Sequence, residues 1–427
     1  MVSEVSTEAM SAVSIVNQFV FIFNLVIYGT VSAAGIFTAQ YFGNRNDEGI
    51  RHTFRFKIIA VTLIGIICTV AFHLFDDGLI NLFLLETVEG TTLDPVLTFN
   101  NAKEYLSIAI IGLLPYALSQ VYTSTLRETN NTMPPMVASF AALFTNIALN
   151  AVLIFGILGA PALGVKGAAM ATVISRFVEL TILIVWTHLN TDKYKYMKGV
   201  YSSFRIPLSL VKSIALKSLP LMTNEFLWSV SITLRNQCYS TRGLDSVAAT
   251  NISATVSNLF SIVYYAMGAA IAIMVGNLLG AGKIEEARDT GRKLTVFSVS
   301  SSAIIGIALA LLSTTLPSLF NTGDNPSVYS LAVYMLLVTA VLTPISAYNT
   351  ASYHEIRSGG RMLLTMFMDS GFMISFVVPT SLLLAYFTPI NIFWLYAICQ
   401  GTETVKVVIG ALVLKYSNWA NKIVEEK

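Results

Sequence analysis

Two carboxylates stand within apolar stretches of the sequence, and Glu225 is the more informative of them. It follows Pro220 and lies about a dozen residues into a predicted helix, near the middle of a bilayer that takes about 20 residues to cross. Proline breaks the helical hydrogen-bond ladder and frees backbone carbonyls nearby. Because ionisable groups at this depth are usually functional or paired, Glu225 can bind sodium, take up a proton or face a cationic molecule. The alternative is an ion pair with Arg235, about three turns away.

Asp369 is the second candidate, in an apolar run between Arg361 and Pro379. Partners on one helix surface lie three or four residues apart, and those positions hold uncharged residues: Thr365, Met366, Phe372 and Met373. The spacing therefore predicts an unpaired carboxylate, which suits proton exchange. The alternative is a protonated carboxyl group that donates a hydrogen bond to a neighbouring backbone carbonyl.

Two further acids each have a base three residues away on the same predicted helix. Arg176 and Glu179 form one such pair, and Glu403 and Lys406 form the other. Residues at this spacing share a helix face and can neutralise each other. Since polar and charged groups inside membrane bundles commonly hold helices together, a structural role is favoured for both pairs over ion transport.

Polar, aromatic and sulfur-containing side chains recur in the apolar runs and are candidates for lining a substrate cavity. Aromatic faces attract cations, and methionine adapts to ligands of varied shape. For any single residue, ordinary packing or an interfacial aromatic belt is the simpler explanation. The candidates are Asn17, Gln18, Gln120, Tyr122, Trp228, Tyr264, Tyr265, Met267 and Tyr348.

The sequence predicts no bound cofactor, metal site or enzyme activity. Its three cysteines lie in apolar stretches without metal-ligand spacing. Gly280–Gly282 is a G-A-G that follows no predicted strand, so a turn between helices is favoured over a nucleotide site. The sequence shows no phosphate-binding loop or nucleophile elbow, and ATP hydrolysis by this chain is not expected. A net charge of +2 gives no reason to expect nucleic acid as a partner.

The elements that carry these residues are predicted to be membrane-spanning helices. The chain is 55% hydrophobic and 12% charged, whereas soluble proteins are roughly a quarter charged. A lipid-facing backbone must satisfy its hydrogen bonds locally, so apolar runs of about 20 residues indicate helices. Eleven runs are predicted, at roughly 9–41, 54–75, 103–126, 134–157, 164–188, 213–240, 247–279, 291–316, 328–353, 362–387 and 391–415.

The distribution of basic residues predicts how these helices are oriented. About 20 of the 26 Lys and Arg residues lie in alternate loops, and such loops are cytoplasmic by the positive-inside rule. The opposite loops are poor in basic residues, and the one between 76 and 94 is acidic. The sequence therefore predicts a multi-pass protein of the cell membrane with its C-terminus in the cytoplasm and its N-terminus outside.

An internal repeat organises the helices into two bundles. Both copies place the same motif on the cytoplasmic side, so the repeat is parallel, as in transporters whose halves rock about a central site. Three segments of the first copy match three of the second in the same order: Gly43–Arg51 with Gly280–Arg288, Leu126–Thr129 with Ile356–Gly359, and Ile174–Glu179 with Ile398–Glu403.

The repeat also predicts the domain boundaries. An N-terminal bundle occupies residues 1–190, a cytoplasmic linker 191–212, and a C-terminal bundle 213–427. The second copy begins with the helix at 213–240, whose counterpart in the first copy would lie before Met1. The expected architecture is therefore an all-α membrane protein with bundles of five and six helices, in which the first helix of the first bundle is missing.

Several motifs in this order resemble the multidrug and toxic-compound extrusion family. The resemblance is strongest in G-A-A-I-A-I-M-V-G-N-L-L-G-A-G-K-I-E-E-A-R (Gly268–Arg288), and it extends to Ala39–Arg51, Leu163–Arg176 and Ser218–Trp228. It implies two bundles of six helices and an antiporter that exports organic cations or amphipathic drugs and toxins in exchange for sodium ions or protons. Glu225 matches the glutamate of the family's seventh helix in its L-P…E…W setting. The departure is the first helix, which in many relatives carries an acid near the ion site of the first bundle.

Two other functions compete with this interpretation. A flippase for lipid-linked sugars, of related architecture, would favour a groove lined by cationic residues that hold pyrophosphate. The buried bases are Arg176, Arg235 and Lys406, and two of them have acids nearby. A membrane-embedded enzyme would show a cluster of catalytic residues at one membrane face, and the sequence shows none.

Overall fold

The computed structural model describes residues 5–88, 94–320 and 325–424, and the regular structure within those ranges is helical. This confirms the predicted all-α fold. In chain order the α-helices are α1 (Thr7–Gly43), α2 (Asp47–Leu74), α3 (Asp76–Val88), α4 (Pro95–Ala109), α5 (Leu113–Glu128), α6 (Met133–Phe155), α7 (Gly164–Leu189), α8 (Leu208–Ser240), α9 (Leu244–Gly280), α10 (Ile284–Leu312), α11 (Pro326–Ser358), α12 (Met362–Met366), α13 (Val378–Phe387), α14 (Ile392–Gly401) and α15 (Glu403–Tyr416).

Each predicted apolar run falls on one helix or on two consecutive helices. α4 continues into α5 through a 3-10 turn at Ile110–Gly112, and α14 is separated from α15 only at Thr402. Within the described ranges, 10 helical units are long and apolar enough to cross a membrane. The remaining run, α8, has 33 residues and is less apolar because it carries charged side chains, Glu225 and Arg235 among them.

α2 and α4 are among the helices that begin well before the apolar runs that predict them. α2 begins at Asp47 rather than near 54, because the Asn46 side chain accepts a hydrogen bond of 2.9 Å from the backbone N–H of Gly49. α4 begins at Pro95 rather than near 103, because the Asp94 side chain accepts from two backbone N–H groups. Such caps satisfy the first N–H groups of a helix, which lack helical partners. Hydrophobic periodicity does not detect these polar first turns.

The acidic segment predicted as a loop between 76 and 94 contains α3, and residues 89–93 lie outside the described part of the chain. Asp76 and Asp77 occupy the first turn of α3, where negative charge is favourable against the helix dipole. The ammonium of Lys103, on α4, lies 2.6 Å from Asp77 Oδ1 and 3.5 Å from Asp76 Oδ2. These contacts tie α3 to α4 at a solvent-exposed position.

The chain divides into two compact units. Unit 1 comprises Met1–Thr38 and Asn46–Ser218, and unit 2 comprises Ala39–Arg45 and Leu219–Lys427. Each unit buries its own apolar cores. A core of unit 1 includes Ala9, Ala12, Val16, Phe19, Ile80, Tyr105, Val165 and Ala169, and a core of unit 2 includes Cys238, Tyr239, Leu331, Met335, Leu395 and Cys399.

Unit 1 contains a buried ion pair that the sequence does not reveal. The Lys57 side chain is fully buried, and its ammonium lies 2.5 Å from Glu128 Oε2. The same ammonium donates to Ser124 Oγ at 2.8 Å and to Thr125 Oγ1 at 3.2 Å. A Cβ atom at Gly35 would overlap the Glu128 carboxylate, so α1 makes room for this acid by carrying glycine there.

The segment between α7 and α8 is held against unit 1 by hydrogen bonds. Arg55, on α2, donates to the backbone oxygens of Val200 at 2.7 Å and Gly199 at 2.8 Å. The Tyr196 hydroxyl lies 3.2 Å from Thr129 Oγ1, at the end of α5. Burial raises the pKa of Tyr196, so its hydroxyl keeps its proton for this contact. The middle of the sequence predicted as a linker therefore packs against α2 and the end of α5 within unit 1.

The two glycines that the internal repeat aligns contact each other's helices within unit 2. A Cβ atom at Gly43 would overlap the carbonyl of Asn277, and one at Gly280 would overlap the carbonyl of Gln40. Small residues permit such close backbone approach in membrane proteins. Gly282 has a φ of +77° and supplies the left-handed conformation that the predicted turn requires.

The end of α1 is also tied to the C-terminal segment of the chain. The Gln40 side chain donates to the backbone oxygens of Ser358 and Asn421, each at 3.0 Å, and accepts from the backbone N–H of Ile423 at 2.7 Å. Trp419 in the same segment is buried. Each hydrogen-bonding group of the Gln40 amide is therefore used, and the segment after α15 forms part of unit 2.

Candidate functional site

The candidate site lies in unit 2, where helices that are distant in sequence bring acidic and basic side chains together. Glu225 is supplied by α8, Asp369 by the region between α12 and α13, and Glu403 and Lys406 by α15. Asn224 and Asn349 add amide groups from α8 and α11. We define these six residues as the polar cluster.

Glu225 is half-buried and makes no hydrogen bond or ion pair with the described residues. The charged groups that act on it are Arg357, on α11, and Asp369. The alternative ion pair with Arg235 does not form within the described part of the chain. The Arg235 guanidinium is buried, its Nε atom has no hydrogen-bond partner there, and it interacts electrostatically with Glu403 instead. The carboxylate oxygens of Glu225 are therefore available to bind a ligand.

Asp369 is paired, and the prediction of an unpaired carboxylate is wrong. Its Oδ1 atom lies 2.7 Å from the ammonium of Lys406, and its Oδ2 atom accepts a hydrogen bond of 3.1 Å from Asn224 Nδ2. Lys406 is 37 residues away in sequence and on another helix. A search for partners on the helix of Asp369 itself cannot detect such a pair.

The helix that carries Asp369 departs from α-helical geometry at this acid. Phe367–Gly371 and Met373–Val377 are π-helical, and π-helical turns occur frequently at functional sites. Wider turns change which backbone N–H groups have partners in the helix. The N–H of Ser370 donates to Asn224 Oδ1 at 3.2 Å. One amide therefore supports both the acid and the altered backbone, although no pattern in the sequence singles out Asn224.

Glu403 and Lys406 form the ion pair predicted from their spacing, at 3.4 Å between Oε2 and Nζ. The pair is not self-contained, because Lys406 is closer to Asp369 than to Glu403. Asn349 Nδ2 donates to Glu403 Oε2 at 3.2 Å and to the Glu403 backbone oxygen at 3.0 Å. Asn349 thus joins α11 to α15, and Lys406 joins α15 to the π-helical region.

The predicted ion pair of Arg176 with Glu179 is absent from the described residues, although both lie on α7. The Arg176 guanidinium lies over the Tyr116 ring, 4.2 Å from its centroid. Glu179 accepts a hydrogen bond of 3.2 Å from Ser139 Oγ. Neighbouring helices supply better-placed partners for both side chains, which a count of residues along one helix cannot show.

The cavity candidates fall into three groups. Asn17 and Gln18 face an open cavity of about 520 Å³, which α1 also lines with Met10, Val13, Ser14 and Phe21. Tyr264 and Tyr265 form a tilted ring pair with centroids 4.7 Å apart, and the Tyr265 hydroxyl lies within electrostatic range of Asp369, Glu403 and Glu225. The other candidates are partly or fully buried in packed helices: Gln120, Tyr122, Trp228, Met267 and Tyr348.

For two of the buried candidates, contacts with neighbouring residues explain why a large aromatic side chain is present. The Tyr122 side chain is 2% exposed, and its hydroxyl is hydrogen-bonded to the Tyr201 hydroxyl. Trp228 packs against the core of Phe372, Met373 and Val377. Tyr122 therefore fastens the segment after α7, and Trp228 supports the π-helical region. Tyr265, with 51% of its surface exposed, is the most accessible of the aromatic candidates.

The arrangement suits the binding of one small cation. Within the cluster, the ammonium of Lys406 contacts Asp369 and Glu403 but not Glu225, and the guanidinium groups of Arg357 and Arg235 act from outside it on Glu225 and Glu403. The half-buried carboxylate of Glu225 retains unused acceptor positions, while the other two acids are already hydrogen-bonded. A cluster of this kind within membrane helices indicates ion or substrate movement.

Comparison with known sequences identifies the family. The sequence profile of the MatE family matches residues 1–152 and 220–379. The chain is 25% identical over 361 residues to the "Probable multidrug resistance protein NorM" of Thermotoga maritima, which covers 84% of this chain and 75% of that protein. It is 23% identical over 386 residues to the "Probable multidrug resistance protein YoeA" of Bacillus subtilis, covering 90% and 81%.

Solved structures show the same fold. A crystal structure of MATE in the bent conformation superposes with a TM-score of 0.83 at 18% identity, over 97% of this chain and 88% of that one. An outward-facing multidrug resistance MATE family transporter of the MOP superfamily gives a TM-score of 0.80 at 16% identity, over 96% and 88%. Because the family profile covers most of the sequence and the fold agrees with it, the chain belongs to the MatE family, whose members are membrane transporters rather than enzymes.

Proposed function

We propose that this protein is a secondary active antiporter that exports organic cations or other amphipathic drugs and toxins in exchange for sodium ions or protons. It acts as a multi-pass protein of the plasma membrane with its C-terminus in the cytoplasm. The substrate is a small molecule. We propose no bound cofactor, and the coupling ion is a sodium ion or a proton. We do not propose that the protein hydrolyses ATP or binds nucleic acid.

The observation that carries the proposal is the carboxylate of Glu225 in the polar cluster, which has no hydrogen bond or ion pair among the described residues. A carboxylate that binds a cation in one state and releases it in another gives the differential affinity that coupled exchange requires. The Tyr264–Tyr265 ring pair adds aromatic faces that attract organic cations. The proteins from Thermotoga maritima and Bacillus subtilis, whose names describe multidrug resistance, support the same substrate class.

A flippase for lipid-linked sugars is less well supported. It would need free basic groups to hold a pyrophosphate. In the described residues, Lys406 is held by two carboxylates, and Arg176 lies over an aromatic ring. Neither contributes to a cationic groove, and the third buried base, Arg235, interacts electrostatically with Glu403.

Transport in proteoliposomes tests the proposal. Wild-type protein should accumulate ethidium against its gradient when a proton or sodium gradient is imposed. Glu225→Gln should lower the initial rate at least tenfold, because an amide carries no charge to exchange. Glu179→Gln is the matched control, since it makes the same chemical change in an acid of α7 outside the polar cluster, and it should retain the rate. Full ion-driven transport by the Glu225→Gln protein would contradict the proposal.

Cysteine labelling tests the orientation. An impermeant maleimide added outside intact cells should label a cysteine placed at Asp77, but not one placed at Lys195 or Lys283. A position near Asp324, which lies outside the described residues, should also be labelled from outside. The reverse pattern would contradict the cytoplasmic placement of the basic loops.

A further inference from the structure

Lys406 places a positive charge where two carboxylates of unit 2 converge. Its ammonium lies 2.7 Å from Asp369 Oδ1 and 3.4 Å from Glu403 Oε2, and its side chain is 11% exposed. These distances are those of direct charge-assisted contact. The ammonium therefore occupies the point between two acids at which a mobile monovalent cation would otherwise be held.

The surrounding amides complete this arrangement. Asn224 donates to the second oxygen of Asp369, and Asn349 donates to the oxygen of Glu403 that faces Lys406. A buried ion pair is stable only when good geometry and additional hydrogen bonds offset the loss of hydration. Both acids meet this condition through groups of the chain itself. A sodium ion would have to displace a tethered cation and break contacts that are already made.

Glu225 is the one acid of the polar cluster that Lys406 does not contact in the described residues. Its surroundings contain Arg357 from α11, Asp369 from the π-helical region and Tyr265 from α9. Hydration is replaced for a buried hard cation only by a shell of several oxygen ligands. A proton needs one carboxylate oxygen, which Glu225 provides.

We infer that Lys406 is a built-in counter-ion that replaces sodium in unit 2, so that export is driven by protons bound at Glu225 and does not require sodium. This inference rests on the proposed antiport function and specifies its coupling ion. Glu225 takes up one proton as a neutral carboxyl group on the side of higher proton concentration and returns it on the other. Lys406 stays in contact with Asp369 and Glu403 throughout.

Sodium binding tests the inference without depending on transport. The purified full chain in detergent is incubated with ²²Na⁺, and binding that excess unlabelled sodium displaces is counted. Wild-type protein and Lys406→Arg, which retains the cation, should show no saturable binding. Lys406→Gln should gain saturable binding, because it frees two carboxylates, and adding Asp369→Asn to that variant should abolish the gain. Each variant is first checked for a monodisperse elution profile.

Saturable sodium binding by the wild-type protein overturns the inference, whichever residues hold the ion. A monodisperse Lys406→Gln protein without sodium binding also overturns it. If that variant does not fold, the wild-type measurement still decides.

Transport measured under a proton gradient, with and without sodium, provides a second test of the inference. In proteoliposomes, a proton gradient should drive ethidium accumulation by the wild-type protein. Replacing all sodium with potassium should change the rate less than twofold. A rate that depends at least fivefold on sodium overturns the inference. Absence of accumulation under either gradient contradicts the antiport function itself, while the binding measurement continues to report on Lys406.

Discussion

Removing the ammonium of Lys57 is expected to destabilise unit 1 strongly. Lys57→Met keeps most of the side-chain stem and deletes the charge, leaving Glu128 buried with no cation at 2.5 Å. Ser124 and Thr125 also lose the donor that they accept from. Breaking a buried ion pair by removing one partner costs about 3–5 kcal/mol, because the remaining charge stays out of water.

A double variant separates the interaction energy of Lys57 with Glu128 from the cost of leaving one unpaired charge buried. Glu128→Gln alone leaves the Lys57 ammonium buried and should cost a similar amount. Lys57→Met combined with Glu128→Gln removes both charges, so its loss of stability should be smaller than the sum of the two single losses by about 2 kcal/mol or more. The difference measures the coupling between the two side chains.

Equilibrium unfolding in mixed micelles, titrated with a denaturing detergent, provides the assay. Lys103→Met is the control, because it removes an ammonium from an exposed ion pair with Asp77, and exposed pairs contribute little. It should leave the unfolding midpoint unchanged. Wild-type stability of the Lys57→Met protein, or strictly additive losses in the double variant, would refute the reasoning.

Two further predictions concern the other contacts that organise the fold. Gly280→Val should lower the yield of folded protein and the unfolding temperature, because its Cβ would overlap the Gln40 carbonyl. The control is Gly282→Asn, at a position with φ of +77° and nothing within 4 Å of an added Cβ atom, and it should be tolerated. Equal stability of the two variants would contradict the close helix contact at Gly280. Arg55→Ala should speed tryptic cleavage after Lys198 several-fold, since each lost hydrogen bond from a charged group contributes about 1.5–3 kcal/mol. The control is Arg205→Ala, at an exposed position, which should be cleaved after Lys198 at the wild-type rate. An unchanged rate for Arg55→Ala would contradict the packing of the segment between α7 and α8 against α2.

The sequence predicted the helices well because their signal is local. The run expected at 164–188 corresponds to α7, Gly164–Leu189, and the run expected at 362–387 corresponds to Met362–Phe387. Apolar length decides such elements, since only helices can satisfy the backbone in lipid. The early starts of α2 and α4 were missed because the caps at Asn46 and Asp94 are polar. The repeat aligned Gly43 with Gly280, and the structure shows the close backbone contacts that require glycine at both positions.

The candidate site was predicted only where its contacts are local. Glu403 and Lys406 are three residues apart and do form a pair. Asp369 and Lys406 are 37 residues apart, and Lys57 and Glu128 are 71 residues apart, so neither contact follows from helix periodicity. Lys57 belongs to the basic residues assigned to a predicted cytoplasmic loop, and that assignment concealed its burial. Asn224 was missed because an amide beside an acid has no distinctive pattern in sequence.

The most direct test of ion-coupled export is whether substrate binding releases an ion from Glu225. Substrate is added to the purified protein in weakly buffered solution, and released protons and sodium are followed with a pH dye and a sodium-selective electrode. If exchange operates through this acid, the wild-type protein should release about one ion per substrate bound, because linkage between the two ligands is reciprocal. Glu225→Gln should still bind substrate and release none. Substrate binding by the wild type without ion release, or undiminished release from Glu225→Gln, would contradict the account.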